Sequence, residues 1–184
     1  MSLTKTPICN YGEKVQDFNL LSTENNKVSL NDVLGKNGTL IMFICNHCPY
    51  VKAIIKDIVE DVKYLESFGI KSVAIMSNDI KNYPEDSFEN MVSFSKIHGF
   101  TFPYLVDETQ DVAKNYGAVC TPDFFGYNKE NELQYRGRIR ELKNLKPTRR
   151  GSSDLRLAME QISISGKGPL NQVASMGCNI KWFK

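Results

Sequence analysis

The stretch Thr39-Leu40-Ile41-Met42-Phe43-Ile44-Cys45-Asn46-His47-Cys48-Pro49-Tyr50 decides how the rest of the chain is read. Thr39 to Ile44 is a continuous run with no charged residue, the pattern of a central strand covered on both faces. It stops at a Cys-x-x-Cys pair. From Pro49 onward Val51, Ile54, Ile55, Ile58, Val59, Val62 and Leu65 recur at helical spacing, with Lys52, Lys56, Asp57, Glu60, Asp61 and Lys63 between them. A proline fits such a helix only in its first turn, where its missing N–H costs nothing. The reading is strand, cysteine turn, helix.

At that junction the residue types point to thiol chemistry. Unpaired backbone N–H groups and the positive end of a helix dipole stabilise thiolate over thiol, so Cys45 is expected to be the nucleophile. Cys48, about one turn further in, is expected to be the buried thiol that resolves a mixed disulfide. Asn46 and His47 lie between them, and a histidine ring there would tune the developing thiolate. Competing explanations are weaker. A structural disulfide closing so short a loop gains little on the chain-entropy model. A zinc site needs a second ligand pair, whereas Cys9, Cys120 and Cys178 are scattered singly and His98 has no companion, so no metal is expected.

With 184 residues, a single domain over 1–184 is expected, its core over about 10–165 and a tail over 166–184. Hydrophobic content of 41% and charged content of 24% are ordinary for a globular chain, and a net charge of +2 suggests no nucleic-acid partner. Arg136, Arg138, Arg140 and the stretch from Lys143 to Arg150 read as a solvated face. No run approaches a membrane span, and Met1 to Tyr11 lacks the pattern of a secretory signal. A cytoplasmic location is the expectation, and five cysteines in a reducing compartment argue against a disulfide scaffold.

Outward from the cysteine turn, Val15 to Leu21 and Val28 to Leu30 predict an N-terminal β-hairpin, and Asn31 is expected to cap a short helix through Leu34. After Gly69, Ile70 to Met76 reads as a buried strand whose end, Ser77-Asn78-Asp79, is of the kind that borders a ligand cleft. Pro84-Glu85-Asp86 opens a helix with Phe88, Met91, Val92, Phe94 and Ile97 as its stripe; His98 is its C-terminal residue. Phe102 to Val106 is a strand, and Asp107 or Thr109 is expected to cap a short helix through Tyr116. Cys120-Thr121-Pro122 leads into a C-terminal hairpin whose second strand is Leu133 to Ile139. Ser152 or Ser153 caps a last helix, Asp154 to Ile164. The tail ends in Ile180, Trp182 and Phe183, expected to dock on the body of the domain.

With these elements in order, the chain resembles the thioredoxin superfamily, and within it the redoxin and peroxiredoxin-like branch of alkyl hydroperoxide reductase/thiol-specific antioxidant type. Asp107 together with Val112-Ala113-Lys114-Asn115-Tyr116-Gly117 is similar to that branch's Asp…Val-Ala-x-x-Tyr-Gly motif. The resemblance implies an α/β fold, a central mixed β-sheet flanked by helices. It also implies that the bond before Pro122 is cis and that Thr121 and Pro122 face the dithiol, the Thr121 backbone being free to pair with an extended substrate strand. Cys120, two residues before Pro122, is then expected near the dithiol, and Cys178 is either a third relay thiol or an anchor for the tail.

Two departures stand out. Thioredoxins carry a Trp just before the first Cys and a buried Asp on the preceding strand, whereas the only Trp here is Trp182 and Lys36 to Ile44 holds no carboxylate. The peroxidatic pattern Pro-x-x-x-Thr/Ser-x-x-Cys is also missing: Cys48 is preceded by Cys45 and Ile41 at its positions, and Cys45 by Met42 and Gly38. Asn46-His47 instead resembles the Cys-x-His-Cys centre of disulfide isomerases and oxidases.

These readings predict a thiol-disulfide oxidoreductase with no cofactor beyond its own redox-active disulfide. Its partners would be a disulfide-containing protein or small thiol and an external dithiol reductant such as thioredoxin or glutathione. The alternatives are an antioxidant thiol peroxidase acting on hydroperoxides and a redox-sensing binding module.

Overall fold

Alternate side chains of the strand that precedes the cysteine turn divide between two cores. Leu40, Met42 and Ile44 enter one cluster, Ile41 and Phe43 the other, and all five are essentially inaccessible to solvent. A strand buried on both faces needs no alternation, which is why its sequence is continuously apolar.

The computed structural model describes residues 3–184; the first two, which the single-domain expectation included, lie outside the described residues. Its elements are β1 (Leu3–Lys5), β2 (Asn19–Ser22), β3 (Lys27–Ser29), α1 (Leu30–Val33), β4 (Gly38–Phe43), α2 (Pro49–Glu66), β5 (Ile70–Met76), a 3₁₀ turn (Pro84–Asp86), α3 (Phe88–His98), β6 (Tyr104–Val106), α4 (Asp111–Asn115), β7 (Cys120–Thr121), β8 (Asp123–Asn128), β9 (Leu133–Tyr135), β10 (Leu142–Lys143), β11 (Lys146–Pro147), α5 (Asp154–Ser165) and β12 (Met176–Asn179).

Seven strands form a mixed sheet in the order β3-β2-β6-β5-β4-β8-β9, with β4, β5 and β6 parallel and the remaining pairs antiparallel. Helices α2, α3 and α5 supply Ile58, Met91 and Met159 to one cluster, while α1 and α4 supply Leu30, Val33 and Val112 to the other. The fold is the expected α/β sandwich of a mixed sheet between helices. None of its helices, among the described residues, is long and apolar enough to cross a membrane.

Several local expectations change. The hairpin forms as β2 and β3, shorter than its apolar pattern. Ser29, not Asn31, caps α1, with its backbone N–H donating to Asp32 Oδ2 at 2.8 Å in a capping box. Gln110 rather than Asp107 or Thr109 is the N-cap of α4, and Asp107 instead accepts the Ala113 N–H at 2.9 Å. β9 stops at Tyr135, four residues early, because the backbone beyond it pairs with the tail: Arg136 N–H donates to Gln172 Oε1 at 2.9 Å and Arg138 N–H to the Val173 carbonyl at 2.7 Å. The tail docks as expected, but by forming a strand: β12 lies between β1 and β7 in a second, three-stranded sheet.

The expected solvated face divides: the stretch from Lys143 to Arg150 is exposed and Arg138 is half-buried, whereas Arg136 and Arg140 are buried. Arg136 is buried against Asp123, with 2.9 Å from Nη2 to Oδ2, and Arg140 pairs with Asp57 at 2.9 Å. Asp61, on the expected polar side of α2, is buried between Arg156 at 2.7 Å and the Ser153 hydroxyl. The Asp123–Arg136 pair matters most for the site, because Asp123 follows Pro122 directly and Arg136 also donates to the Gly117 carbonyl at 2.8 Å. Removing one partner of a buried pair leaves an uncompensated charge, so Arg136→Leu is expected to cost about 3–5 kcal/mol of stability in chemical denaturation. A change below about 1 kcal/mol, the level of a surface pair, would contradict this role.

Candidate active site

Helix α2 begins at Pro49, and its N-cap is Cys48. The expectation that Cys45 holds the helix-terminal position is thereby corrected: the residue aligned with the dipole is Cys48, and Cys45 lies three residues earlier on the turn out of β4. Both side chains are fully buried, as are Cys120 and Cys178; Cys9 is half-buried.

Thr121 touches both cysteines of the turn. Its hydroxyl is 3.3 Å from Cys45 Sγ, and its carbonyl accepts from Cys48 Sγ at 3.1 Å. The Thr121-Pro122 peptide bond is cis. The Thr121 backbone, however, is not free for a substrate strand: β12 pairs antiparallel with β7, placing Cys178 opposite Thr121 and Asn179 opposite Cys120. Cys178 Sγ is 3.2 Å from Cys48 Sγ. Cys120, by contrast, directs its thiol to the Pro122 carbonyl at 3.6 Å, and burial holds it well above the usual thiol range.

The two site thiols titrate as one unit. A hydrogen bond between them stabilises the singly charged pair. One proton therefore leaves at about 5 from Cys48, which also accepts from the Val51 amide and the Cys178 thiol, against the opposing cost of burial. The other is held well above the ordinary 9.0 on Cys45 by the same bond, by burial and by the nearby Asp86 charge. Thr121 pulls the other way, since its carbonyl accepts only from a protonated Cys48 and its hydroxyl donates to a Cys45 thiolate. The acid is the pair, and the retained proton is shared between the two sulfurs.

Beneath the turn lies a carboxylate that sequence reasoning missed as a site residue. Asp86, in the 3₁₀ turn before α3, accepts the backbone N–H groups of Asn46 at 2.8 Å and His47 at 3.2 Å, the Asn78 amide at 2.8 Å, and stands 2.6 Å from His47 Nδ1. It is completely buried. It supplies a carboxylate at the base of the site from a different element than the strand where its absence was noted. The only signal in the sequence was its place in Pro84-Glu85-Asp86, which reads as a helix opening. Asn46 is fixed in turn by Tyr104, whose hydroxyl donates to Asn46 Oδ1 at 2.9 Å, and by the Glu85 carbonyl at 3.2 Å. Asn78 does border the site, while Asp79 bonds Asn82 in its own loop.

His47 stacks on Tyr83, centroids 5.7 Å apart, and Lys181 of the tail lies over the other ring's field with Nζ 5.6 Å from the Tyr83 centroid. The bond to Asp86 raises the His47 pKa above the ordinary 6.5, overcoming burial and Lys181. Asp86, despite burial, is held below 3.8 by bonds from His47, Asn78 and the Asn46 amide. Cys45, His47 and Asp86 also offer three ligand atoms within 4.8 Å of one another, a set able to hold a metal ion that cysteine spacing alone did not suggest. A cleft of about 730 Å³ runs beside the site, with Tyr50, Ile54, Pro122, Ile139, Ser175 and Met176 in its walls.

A cysteine pair at a strand-to-helix junction facing a cis-proline loop, on a mixed sheet between helices, defines a thioredoxin-like redox protein. The chain belongs to the AhpC/TSA family, whose model matches residues 11–140. It is similar to an uncharacterized conserved protein from Geobacillus kaustophilus, with 38% identity, a TM-score of 0.94, and coverage of 100% of this chain and 97% of that one. A hypothetical protein from Sinorhizobium meliloti 1021 is similar at 35% identity and TM-score 0.90, covering 98% of each chain. The thioredoxin domain of a thiol-disulfide oxidoreductase from Bacteroides vulgatus shares the fold at 17% identity, TM-score 0.58, and coverage of 73% of this chain and 89% of that one. No curated protein matches the chain.

The linkage of the His47–Asp86 pair has a definite sign. The His47 contribution to stability is full below the unfolded value of 6.5 and is lost as pH rises through the higher folded value; that of Asp86 is full above 3.8 and is lost as pH falls through the lower folded value. The pair therefore stabilises most between those two unfolded values. Asp86→Asn leaves burial unopposed, so the His47 midpoint in an NMR pH titration is expected to drop below 6.5. An unchanged midpoint would remove Asp86 from this account.

Proposed function

We propose that the Cys45/Cys48 pair is the centre of a thiol-disulfide oxidoreductase. The observation that supports this most is the convergence of the two sulfurs on Thr121, whose hydroxyl is 3.3 Å from Cys45 Sγ and whose carbonyl accepts from Cys48 Sγ at 3.1 Å, with the pair's lowered first ionisation keeping a thiolate beside a second thiol. In the proposed cycle, the proton that the pair retains passes from Cys45 to Cys48, and the Cys45 thiolate so formed attacks one sulfur of a substrate disulfide and expels the other as a thiolate, which takes up a proton. Cys48 then attacks Cys45 Sγ, releasing the second substrate thiol and leaving a Cys45–Cys48 disulfide. The substrate gains two electrons and two protons. An external dithiol reductant such as thioredoxin, or glutathione, restores the pair.

Each neighbour has a role in this reading. Thr121 donates to the Cys45 thiolate, and Asn46 holds the turn between Tyr104 and Asp86. His47 Nε2, buried and with no hydrogen-bond partner among the described residues, is the nitrogen left to exchange a proton with the leaving thiol. The location that suits a reductase of this kind is the cytoplasm, where its reductant is maintained.

AhpC/TSA membership favours a second reading, a thiol peroxidase in which peroxide converts a site thiolate to sulfenic acid and the second cysteine condenses with it, releasing water. Insulin or small-disulfide reduction is expected to fall by about a hundredfold or more in Cys45→Ser and in Cys48→Ser, because the two sulfurs act as a unit. Undiminished reduction in Cys45→Ser overturns the oxidoreductase reading. Peroxide consumption exceeding that of a Cys45→Ser/Cys48→Ser double variant would install the peroxidase in its place.

A further inference from the structure

The tail carries a third sulfur into the site, and everything around that sulfur is built to hold it there. Gly177 makes the approach possible: a methyl group at its Cα would stand 2.0 Å from the Thr121 carbonyl oxygen and 3.0 Å from Pro122 Cδ. Its φ needs no glycine, so the requirement is for space alone. On the N-terminal side, the Ser175 hydroxyl donates to the Pro122 carbonyl at 2.8 Å, and Thr6 and Ser175 exchange hydrogen bonds at 2.9 and 3.1 Å. On the C-terminal side, Lys181 N–H donates to Asn78 Oδ1 at 2.9 Å, and its carbonyl accepts from Asp79 N–H and Gln110 Nε2, both at 2.8 Å. β1 covers the outer edge, with Leu3 opposite Cys178.

Anchoring a tail requires none of this to converge on a dithiol. Ile180 is buried in the cluster on the far face of the sheet and would secure the tail without a cysteine beside it. Yet Cys178 Sγ lies 3.2 Å from Cys48 Sγ, against about 2.05 Å in a bonded pair.

We propose that Cys178 is a third redox thiol that exchanges with the site disulfide, moving it from Cys45–Cys48 to Cys48–Cys178. The proposal rests on the dithiol reading above and deepens it. In the exchange, Cys178 sulfur attacks Cys48 Sγ, the Cys45–Cys48 bond breaks, and Cys45 departs as the thiolate that takes the Cys178 proton. One disulfide is consumed and one is formed, so no external oxidant or reductant enters. The product keeps a reactive Cys45 thiol while bolting β12 across β7, the edge an incoming strand would need. In the reduced state burial, and then the Cys48 contact, hold the Cys178 thiol up to about 12, so its proton must pass to the departing Cys45 sulfur as it attacks.

The test oxidises the full chain with glutathione disulfide, quenches with acid, alkylates the remaining thiols and maps disulfide-linked peptides by mass spectrometry. Wild type is expected to yield both the Cys45–Cys48 and the Cys48–Cys178 peptides. Cys45→Ser should retain Cys48–Cys178, and Cys178→Ser should retain Cys45–Cys48. Gly177→Val, which pushes β12 off the Thr121 carbonyl, should lower the Cys48–Cys178 fraction about tenfold or more while leaving Cys45–Cys48 in place. Formation of Cys45–Cys48 with no Cys48–Cys178 in either wild type or Cys45→Ser overturns this proposal alone. A Cys48–Cys178 fraction unaffected by Gly177→Val also overturns it, since pairing on β7 would then not deliver the sulfur. Failure of any site disulfide to form would instead bring down the dithiol reading beneath it.

Discussion

Thr121 is the constraint on which the rest of the site depends. Its hydroxyl meets Cys45, its carbonyl meets Cys48, and its place in the β7 ladder sets Cys178 opposite. One residue thereby fixes three sulfurs, two from the turn after β4 and one from the tail. Its position is in turn set by the buried Asp123–Arg136 pair, which ties the residue after Pro122 to the end of β9 and to the loop at Gly117. A buried ion pair with its remaining hydrogen bonds satisfied is weak evidence for stability but fixes geometry well, and geometry is what a thiol pair sharing one proton requires.

The second support is electrostatic. Asp86 gathers two backbone amides, one side-chain amide and a histidine into a single carboxylate, so the cysteine turn is held from below by bonds to a charge as well as by the apolar packing of Ile44, Cys45 and Cys48. Its charge also disfavours a thiolate on Cys45, which helps explain why the pair gives up one proton readily and the second with difficulty. Asp86 and Thr121 thus bias the shared proton in opposite directions, and burial of both sulfurs sharpens the competition.

Much of this fold was legible because it rests on local patterns. The buried strand β4, the helix α2 with its proline at the start and the hairpin after Pro122 each carry their own signal in composition and spacing, whereas the cis bond before Pro122 came only from the family resemblance. What was not legible depends on contacts between remote segments. Asp86 reads as an ordinary acidic residue at a helix opening, and only the fold shows that it sits under the Asn46-His47 turn. Arg136 and Asp61 look solvated because charge in a sequence does not reveal a partner on another element. The assignment of Cys45 to the helix terminus failed by three residues, because Pro49 begins the helix and leaves Cys48 as its cap. The tail was seen to be apolar at its end, but β-pairing of Gly177-Cys178 depends on a space requirement that no periodicity encodes.

The central claim is that two buried sulfurs behave as one acid. Following thiolate ultraviolet absorbance against pH in the reduced protein, with Cys45→Ser and Cys48→Ser as references, measures it directly. One thiolate should appear with a midpoint near 5 in the wild type and a second only well above 9.0, and each single variant should lose the low midpoint. Two independent midpoints close to 9.0, unchanged when either cysteine is removed, would contradict it.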